Sequence, residues 1–174
     1  IVTILDSNNN LYVTSFADNT IYKVTSAGLK TAVCTVPSPI GIVVDSTATY
    51  LYVSSLSTRQ IYRINLTDSV PTAVAFIGSG AIGYADGTGL AATFGLVFGM
   101  AIDSSQIMYI TDYGNNSIRK IVLSTRLVTT IAGSITGIAG NTIGNDNTAQ
   151  GYQALRNNTT GTYNVSVGYL SLFN

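Results

Sequence analysis

Residues 100–121 read MAIDSSQIMYITDYGNNSIRKI. A short apolar run closes at Asp103, a polar turn follows, and Tyr109 stands between Met108 and Ile110 in a second apolar run. Gly114, Asn115 and Asn116 interrupt the pattern until Ile118 opens a third run. The same unit stands twice upstream, as ILDSNNNLYVTSFADNTIYKV over 4–24 and IVVDSTATYLYVSSLSTRQIYRI over 42–64. Asp6, Asp45 and Asp103 hold one place in the unit and Tyr12, Tyr52 and Tyr109 a second. Ile21, Ile61 and Ile118 hold a third, nine residues beyond each tyrosine. Recurrence at fixed internal spacing marks one supersecondary module used several times.

The module is built of strands. Short runs rich in Val, Ile, Thr and Tyr alternate with Asn, Asp, Ser and Gly clusters, the signature of strands joined by tight turns. An Asp at the end of a strand can accept hydrogen bonds from the backbone N–H groups of the next turn, which is the role expected of Asp6, Asp45 and Asp103. Asn115 and Asn116 tolerate the left-handed backbone that such turns need. Runs such as Ile42-Val43-Val44 are apolar on both faces, so a sheet lies on either side. A small antiparallel sheet packed between two similar sheets is a propeller blade. Four strands per blade are expected near 40–44, 50–54, 60–64 and 72–77 in the second unit. In the third they are expected near 98–102, 107–111, 117–122 and 127–132.

The third unit with its lead-in, from Gly83-Tyr-Ala-Asp-Gly87 through Gly99-Met-Ala-Ile-Asp103 and Asp112-Tyr-Gly-Asn-Asn116 to Ile118-Arg-Lys-Ile121, resembles an NHL repeat, the blade of a family of β-propellers. The second unit resembles it more loosely, through Pro39, Gly41, Asp45 and Arg63, and the third carries Val97 where the second has Pro39. The resemblance implies blades over 1–38, 39–79 and 95–134, with a linker over 80–94. Propellers typically have four to eight blades, so three imply that earlier blades precede residue 1 or that several chains close one ring; the former is preferred.

After Ser134 the rhythm changes. Asn147, Gly151, Tyr152 and Leu155 recur as Asn164, Gly168, Tyr169 and Leu172, a step of 17 residues. A unit this short buries nothing alone and has to stack on its neighbours. The Asn-Thr-Ala-x-Gly-Tyr-x-Ala-Leu pattern resembles the repeats of phage and giant-virus fibre proteins and of bacterial surface adhesins, related to the β-rolls of trimeric autotransporter heads. That resemblance implies a homotrimer formed through 141–174. The fold class expected is therefore all-β: NHL-type propeller blades over 1–134, then a linker and a short stacked β-roll over 135–174. The chain reads as part of a longer protein, with blades before residue 1 and repeats after residue 174.

Composition narrows the chemistry. Charged residues make up 9% of the chain, against about a quarter in ordinary domains, and the formal net charge is zero with no His and no Glu. A neutral, hydroxyl-rich surface offers no attraction to nucleic acid or anionic lipid, and no apolar run reaches the roughly 20 residues of a membrane helix. Ser–His–Asp catalysis is impossible without His, and a lone Cys34 forms neither an internal disulfide nor a metal cluster. Gly78-Ser-Gly-Ala-Ile-Gly83 fits a dinucleotide fingerprint, yet the Tyr-Ala-Asp-Gly-Thr-Gly that follows breaks any helix, so it reads as an inter-blade loop. Asp86 reads as a turn former, with a hard-cation ligand as the other possibility. Asp103 and Asp112 could end neighbouring strands as an acid–base pair, though nothing singles them out. No catalytic, cofactor or metal residue is assigned, and no cofactor is expected.

The recurring tyrosines Tyr12, Tyr22, Tyr52, Tyr62 and Tyr109 read as inter-blade packing, with a sugar-binding platform as the sharper alternative. Arg63, Arg119 and Lys120 lie on third strands and read as solvated edges or inter-blade pairs. Asn65, Asn115, Asn157, Asn158 and Asn164 each open an Asn-x-Ser/Thr sequon, a glycan acceptor in a eukaryotic secretory setting. The expectation is a non-enzymatic structural or adhesive component of an extracellular, cell-surface or virion-surface fibre. It would pair with itself, as a homo-oligomer, and with a host-surface or glycan ligand. The alternative is a ligand-binding or lactonase- or lyase-like NHL propeller whose active-site blades lie outside the chain.

Overall fold

Each repeat pairs its runs in the simplest possible order, every strand against the next. A computed structural model describes residues 1–133 and the strands Thr148–Gln150 and Val165–Val167. The first sheet is an antiparallel meander of β1 (Thr3–Leu5), β2 (Leu11–Ser15), β3 (Thr20–Val24) and β4 (Lys30–Thr35). The second is β5 (Pro39–Val44), β6 (Tyr50–Ser55), β7 (Ile61–Asn65) and β8 (Ala73–Ile77). The third contains β10 (Val97–Ile102), β11 (Ile107–Asp112), β12 (Ser117–Val122) and β13 (Leu127–Gly133), with β9 (Gly87–Thr88) added on its outer edge. In the second and third sheets every expected strand is found within one residue at each end. The linker departs from expectation: instead of merely crossing between blades, it donates β9 to β13 (Leu127 opposite Thr88, Val128 opposite Gly87).

Two apolar layers separate three sheets, as stacked blades require. Tyr12 and Ile21 of the first sheet meet Ile42, Leu51, Val53 and Ile64 of the second. Val43, Tyr52, Ile61 and Phe76, on the opposite face of the second sheet, meet Met108, Ile110, Ile121 and Val128 of the third. The period of two along a strand explains why neighbours in sequence, Tyr52 and Val53, serve different layers. Burial pushes the Tyr52 phenol up to about 12 and the Cys34 thiol up to about 11, so the thiol stays protonated near neutrality.

The first strand of the second and third sheets enters through the same irregularity, with register shifts between Pro39 and Ile42 and between Val97 and Met100. Val97 thus occupies the place of Pro39 without altering the entry. Residues 1–132 form one compact unit and residues 133–174 another. In the second unit β14 (Thr148–Gln150) and β15 (Val165–Val167) pair in parallel, Thr148 opposite Val165 and Gln150 opposite Val167. The offset equals the 17-residue sequence step, so the pairing joins equivalent positions of successive repeats. Gly151, Tyr152, Gly168, Tyr169, Asn157, Asn158 and Asn164 lie outside the described residues. Among the described residues no helix is long and apolar enough to cross a membrane.

Candidate functional site

The three repeated aspartates organise the turns after the first strands. Asp6 Oδ1 accepts the N–H groups of Asn8 and Asn10 at 2.8 and 2.9 Å. Asp45 Oδ1 accepts those of Thr49 and Tyr50 at 2.8 and 3.0 Å, and Asp103 Oδ1 those of Ser105 and Ile107, both at 2.9 Å. Each turn carries one non-glycine residue in the left-handed region, Asn9, Ala48 or Gln106, and the carboxylate bonds offset that cost. Burial pushes the Asp6 carboxyl up, but the amide of Asn10, the N–H groups of Asn10 and Asn8 and the charge of Lys23 outweigh it, and the group titrates below its ordinary value. Asp86 is likewise lowered, burial being outweighed by Thr130 and Arg119.

A group lowered in this way contributes stability above its unfolded pKa, near 3.8, and loses it as pH falls through the folded value. The melting temperature is expected to stay level from pH 7 to 5 and to fall below about pH 4. The Asp6→Asn variant should have a shallower acid slope, measured by circular dichroism melting between pH 2.5 and 7. An identical slope would remove Asp6 from this account.

Beside these turns the first strands border an open groove of roughly 400 Å3. Its walls include Ile4, Val43, Val44, Met100 and Ile102, with Asp45 and Ser46 as polar members. Gln106 Nε2 donates to Ser46 Oγ at 3.0 Å and ties the second and third turns together. Every aspartate among the described residues accepts at least one hydrogen bond from its own turn, an amide or a guanidinium. Asp103 and Asp112 serve separate partners, Asp103 its own turn and Asp112 the N–H of Gly95 (3.0 Å) and Arg119. Among the described residues no group of three metal-ligating side chains is close enough to hold an ion. The groove suits apolar contact more than proton transfer.

Arg119 is the most deeply placed charge. It is fully buried, so of the two readings of this residue the solvated edge is wrong. Its Nη1 donates to Asp112 Oδ2 at 3.1 Å and its Nη2 to Asp86 Oδ1 at 2.8 Å and to the carbonyl of Ala85 at 3.0 Å. The guanidinium also lies 5.2 Å from the ring centre of Tyr84 and 5.3 Å from that of Phe94. Asp86, beyond forming a turn, binds the N–H and hydroxyl of Thr130 and so pins the linker to β13. The sequence held a signal for this cluster: the Asp86 lead-in, Asp112 and Arg119 occur together in the third unit, whereas the second has Ser55 and Tyr62 at the places of Asp112 and Arg119. Asn115 belongs to the same cluster. It is buried, and its amide donates to Gly83 O at 2.8 Å and to Asp112 Oδ2 at 2.7 Å, which removes it as a glycan acceptor in the folded protein. Asn116 alone of the pair is left-handed. Asn65 ends β7, half-buried, and its amide donates to Asp68 Oδ1 at 2.8 Å.

Tyr12 and Tyr52 lie within the inter-sheet layers and Tyr109 is half-buried on the outer face of the third sheet, so these positions do not make a shared platform. A different repeated position is exposed in the first and third blades and half-buried in the second. The residue four beyond each of these tyrosines, Phe16, Leu56 or Tyr113, begins the turn after the second strand, at the end of the sheets opposite the aspartate turns. Phe16 is 49% exposed and Tyr113 66% exposed. Phe98, 40% exposed, meets Tyr113 edge to face at 5.3 Å. Sequence periodicity contains this position, but apolar residues at a strand end read as core until the sheet shows that the strand has already emerged.

No protein-family model matches the chain, and no curated protein matches it. Solved structures do. An auxiliary nutrient binding protein from Bacteroides thetaiotaomicron superimposes with a TM-score of 0.63 at 20% identity, over 74% of this chain and 35% of that one. Virginiamycin B lyase from Staphylococcus aureus does so at 0.55 and 17%, over 74% and 39%. Hydrazine synthase of Kuenenia stuttgartiensis does so at 0.59 and 12%, over 76% and 36%. At these identities the likeness establishes the β-propeller fold. The chain spans between a third and two fifths of the length of these proteins. None of these three structures is described as a fibre or adhesin protein.

Proposed function

We propose that the chain is a non-catalytic binding protein of an exterior surface, in which propeller blades present a glycan-binding rim and the period-17 repeats form part of the shaft that carries it. The observation that carries this reading is the apolar position repeated in all three blades, exposed as Phe16 and Tyr113 in the first and third and half-buried as Leu56 in the second, with Phe98 beside the last. Large exposed apolar groups clustered at one end of a protein mark interaction surfaces, and turns at the end of a rigid scaffold are where recognition concentrates. The surrounding turns carry Asn19, Ser57 and Thr58 and few charges. Aromatic faces with neutral hydroxyl and amide neighbours suit the apolar face and hydroxyl edge of a sugar. One similar structure is described as a nutrient binding protein, which agrees with a propeller used for binding. Several equivalent rims on one shaft would raise weak affinities by avidity.

A glycan microarray probed with the labelled chain tests this directly. Retention of one neutral glycan class is expected, and Tyr113→Ala and Phe98→Ala should each weaken it roughly tenfold, about 1.4 kcal/mol. Their unfolding free energies should stay within about 1 kcal/mol of the parent, because both rings stand at the surface. No retained glycan, or retention unaffected by both variants, would refute the rim.

A further inference from the structure

A cation stands opposite the repeated tyrosine in every blade. Lys23 pairs with Tyr12 across the sheet, Arg63 with Tyr52 and Lys120 with Tyr109. In the first blade the Lys23 ammonium lies 5.8 Å from the ring centre of Tyr12, so a cation beside an aromatic ring belongs to the repeat itself. The junction of the second and third blades adds something that the repeat does not contain. The Arg63 guanidinium carbon lies 4.7 Å from the ring centre of Tyr50 and 4.6 Å from that of Phe76. A second guanidinium, that of Arg126, stands 6.0 Å from the same Phe76 ring. Arg126 belongs to the turn between β12 and β13, whereas the equivalent turn of the second sheet, between β7 and β8, carries Asp68.

Two like charges around one ring repel each other unless an anion offsets them. Among the described residues no carboxylate does so. Both ion pairs there are formed by Arg119, and neither Arg63 nor Arg126 donates a side-chain hydrogen bond to them. Asp45 shares the surroundings of Tyr52 with Arg63, but its oxygens are taken by Thr47, Thr49 and Tyr50. Both arginines are nevertheless well placed. Arg63 is half-buried beside its two rings, and Tyr50 packs against the core between the second and third sheets. The Arg126 backbone is held from both sides, its N–H donating to Val122 O at 2.7 Å and its carbonyl accepting the Gly89 N–H at 2.9 Å. A guanidinium that lies against a ring still offers N–H donors in its own plane.

We propose that Arg63 and Arg126 form a binding site for a tetrahedral oxyanion, a sulfate or phosphate group. A dianion matches the two positive charges, which a single carboxylate does not, and the planar forks of arginine bond such oxyanions in pairs. The chain has no net charge, so no long-range field draws anions in and the site selects by contact. Val122 lies opposite Ile107, which puts the Arg126 turn at the aspartate end of the sheets. The site is therefore separate from Phe98 and Tyr113 and does not rest on the glycan-binding rim.

Isothermal titration with inorganic sulfate, inorganic phosphate and a sulfated monosaccharide tests the site, with the unsulfated sugar as blank. Saturable binding of at least one of the three is expected, with a dissociation constant of about 1 mM or tighter. Arg63→Gln and Arg126→Gln should each weaken it roughly tenfold. Lys120→Gln, at the place of Arg63 in the third blade, and Tyr113→Ala at the rim should leave it within about twofold. Glutamine keeps much of the stem that lies along the rings, and circular dichroism verifies that each variant is folded. Should Arg63→Gln unfold, Arg63→Lys replaces it and should also weaken binding, because an ammonium lacks the fork. Tighter binding of the sulfated sugar than of the free ions would support the site and give a glycan as the source of the group; the reverse order would support it with a free ion as the source. No saturable binding of any of the three, binding unchanged in both arginine variants, or equal weakening by Lys120→Gln would each overturn the proposal. Tyr113→Ala separates the two sites, so a failed oxyanion site and a failed rim are distinguishable.

Discussion

Replacing Arg119 with methionine is expected to cost about 3–5 kcal/mol of unfolding free energy, the range for removing one member of a buried ion pair. The side chain is fully buried and faces Asp112, whose side chain is as deeply placed. Methionine fills much of the volume but leaves the Asp112 charge without its counter-ion. Only Asn115 and the N–H of Gly95 would remain as partners. The linker would also lose its bonds from Arg119 through Ala85, Asp86 and Thr93. Arg119→Lys should fall between, since one ammonium cannot reproduce the two-sided fork that reaches both Asp112 and Asp86. Combining Arg119→Met with Asp112→Asn should recover part of the loss, because the stranded charge disappears with its partner. Urea unfolding of the four proteins measures this. A single-variant loss below about 1 kcal/mol would show that the cluster is not a structural anchor.

The second large effect is expected from Gly41→Ala. A Cβ at Gly41 would overlap the carbonyl oxygen of Phe98 and come within 2.8 Å of Ser54 Oγ. That hydroxyl is also the acceptor of the Gly41 N–H and the donor to Val97 O. The added methyl therefore pushes two first strands apart and breaks the bridge between them. Overpacking of this kind costs about 1–3 kcal/mol, and the lost hydrogen bonds about 1 kcal/mol each, so a loss near 3 kcal/mol is expected. Gly99→Ala is the matched control. Its nearest neighbours would all be atoms of the Thr111 side chain in its own sheet, Oγ1 closest at 3.0 Å, and it should cost less than about 1 kcal/mol. Thermal melts of the pair isolate the contribution of blade-to-blade contact. Equal losses would mean that the two glycines answer to their own sheets and not to a neighbour.

Much of this was legible in the residues. Asp6, Asp45 and Asp103 recur where a strand gives way to a turn, and short carboxylates bond backbone N–H groups there whatever lies around them. Ile42-Val43-Val44 is apolar on both faces, which demands a sheet on each side. Local chemistry and a period of two were enough for both conclusions. The step of 17 residues likewise anticipated that successive repeats pair at equivalent positions, as Thr148 and Val165 do. The strand in the linker was not legible because Gly87-Thr88 is only two residues long and glycine is poor in strands; the pair is held as a strand by the edge of β13.

The candidate site divides along the same line. Order along the chain determined the strands, the turns, the three blades and the neutral surface, because each follows from neighbours a few residues apart. It could not determine that Arg119 is buried, since the groups that compensate its charge stand at 85, 86, 93 and 112 and are brought together only when the linker folds over the second and third sheets. Nor could it determine that Phe16 and Tyr113 face solvent while Tyr12 and Tyr52 do not. All four are aromatic residues on or beside a second strand. Which of them is covered depends on where the next sheet ends, and that boundary exists only once the blades have stacked.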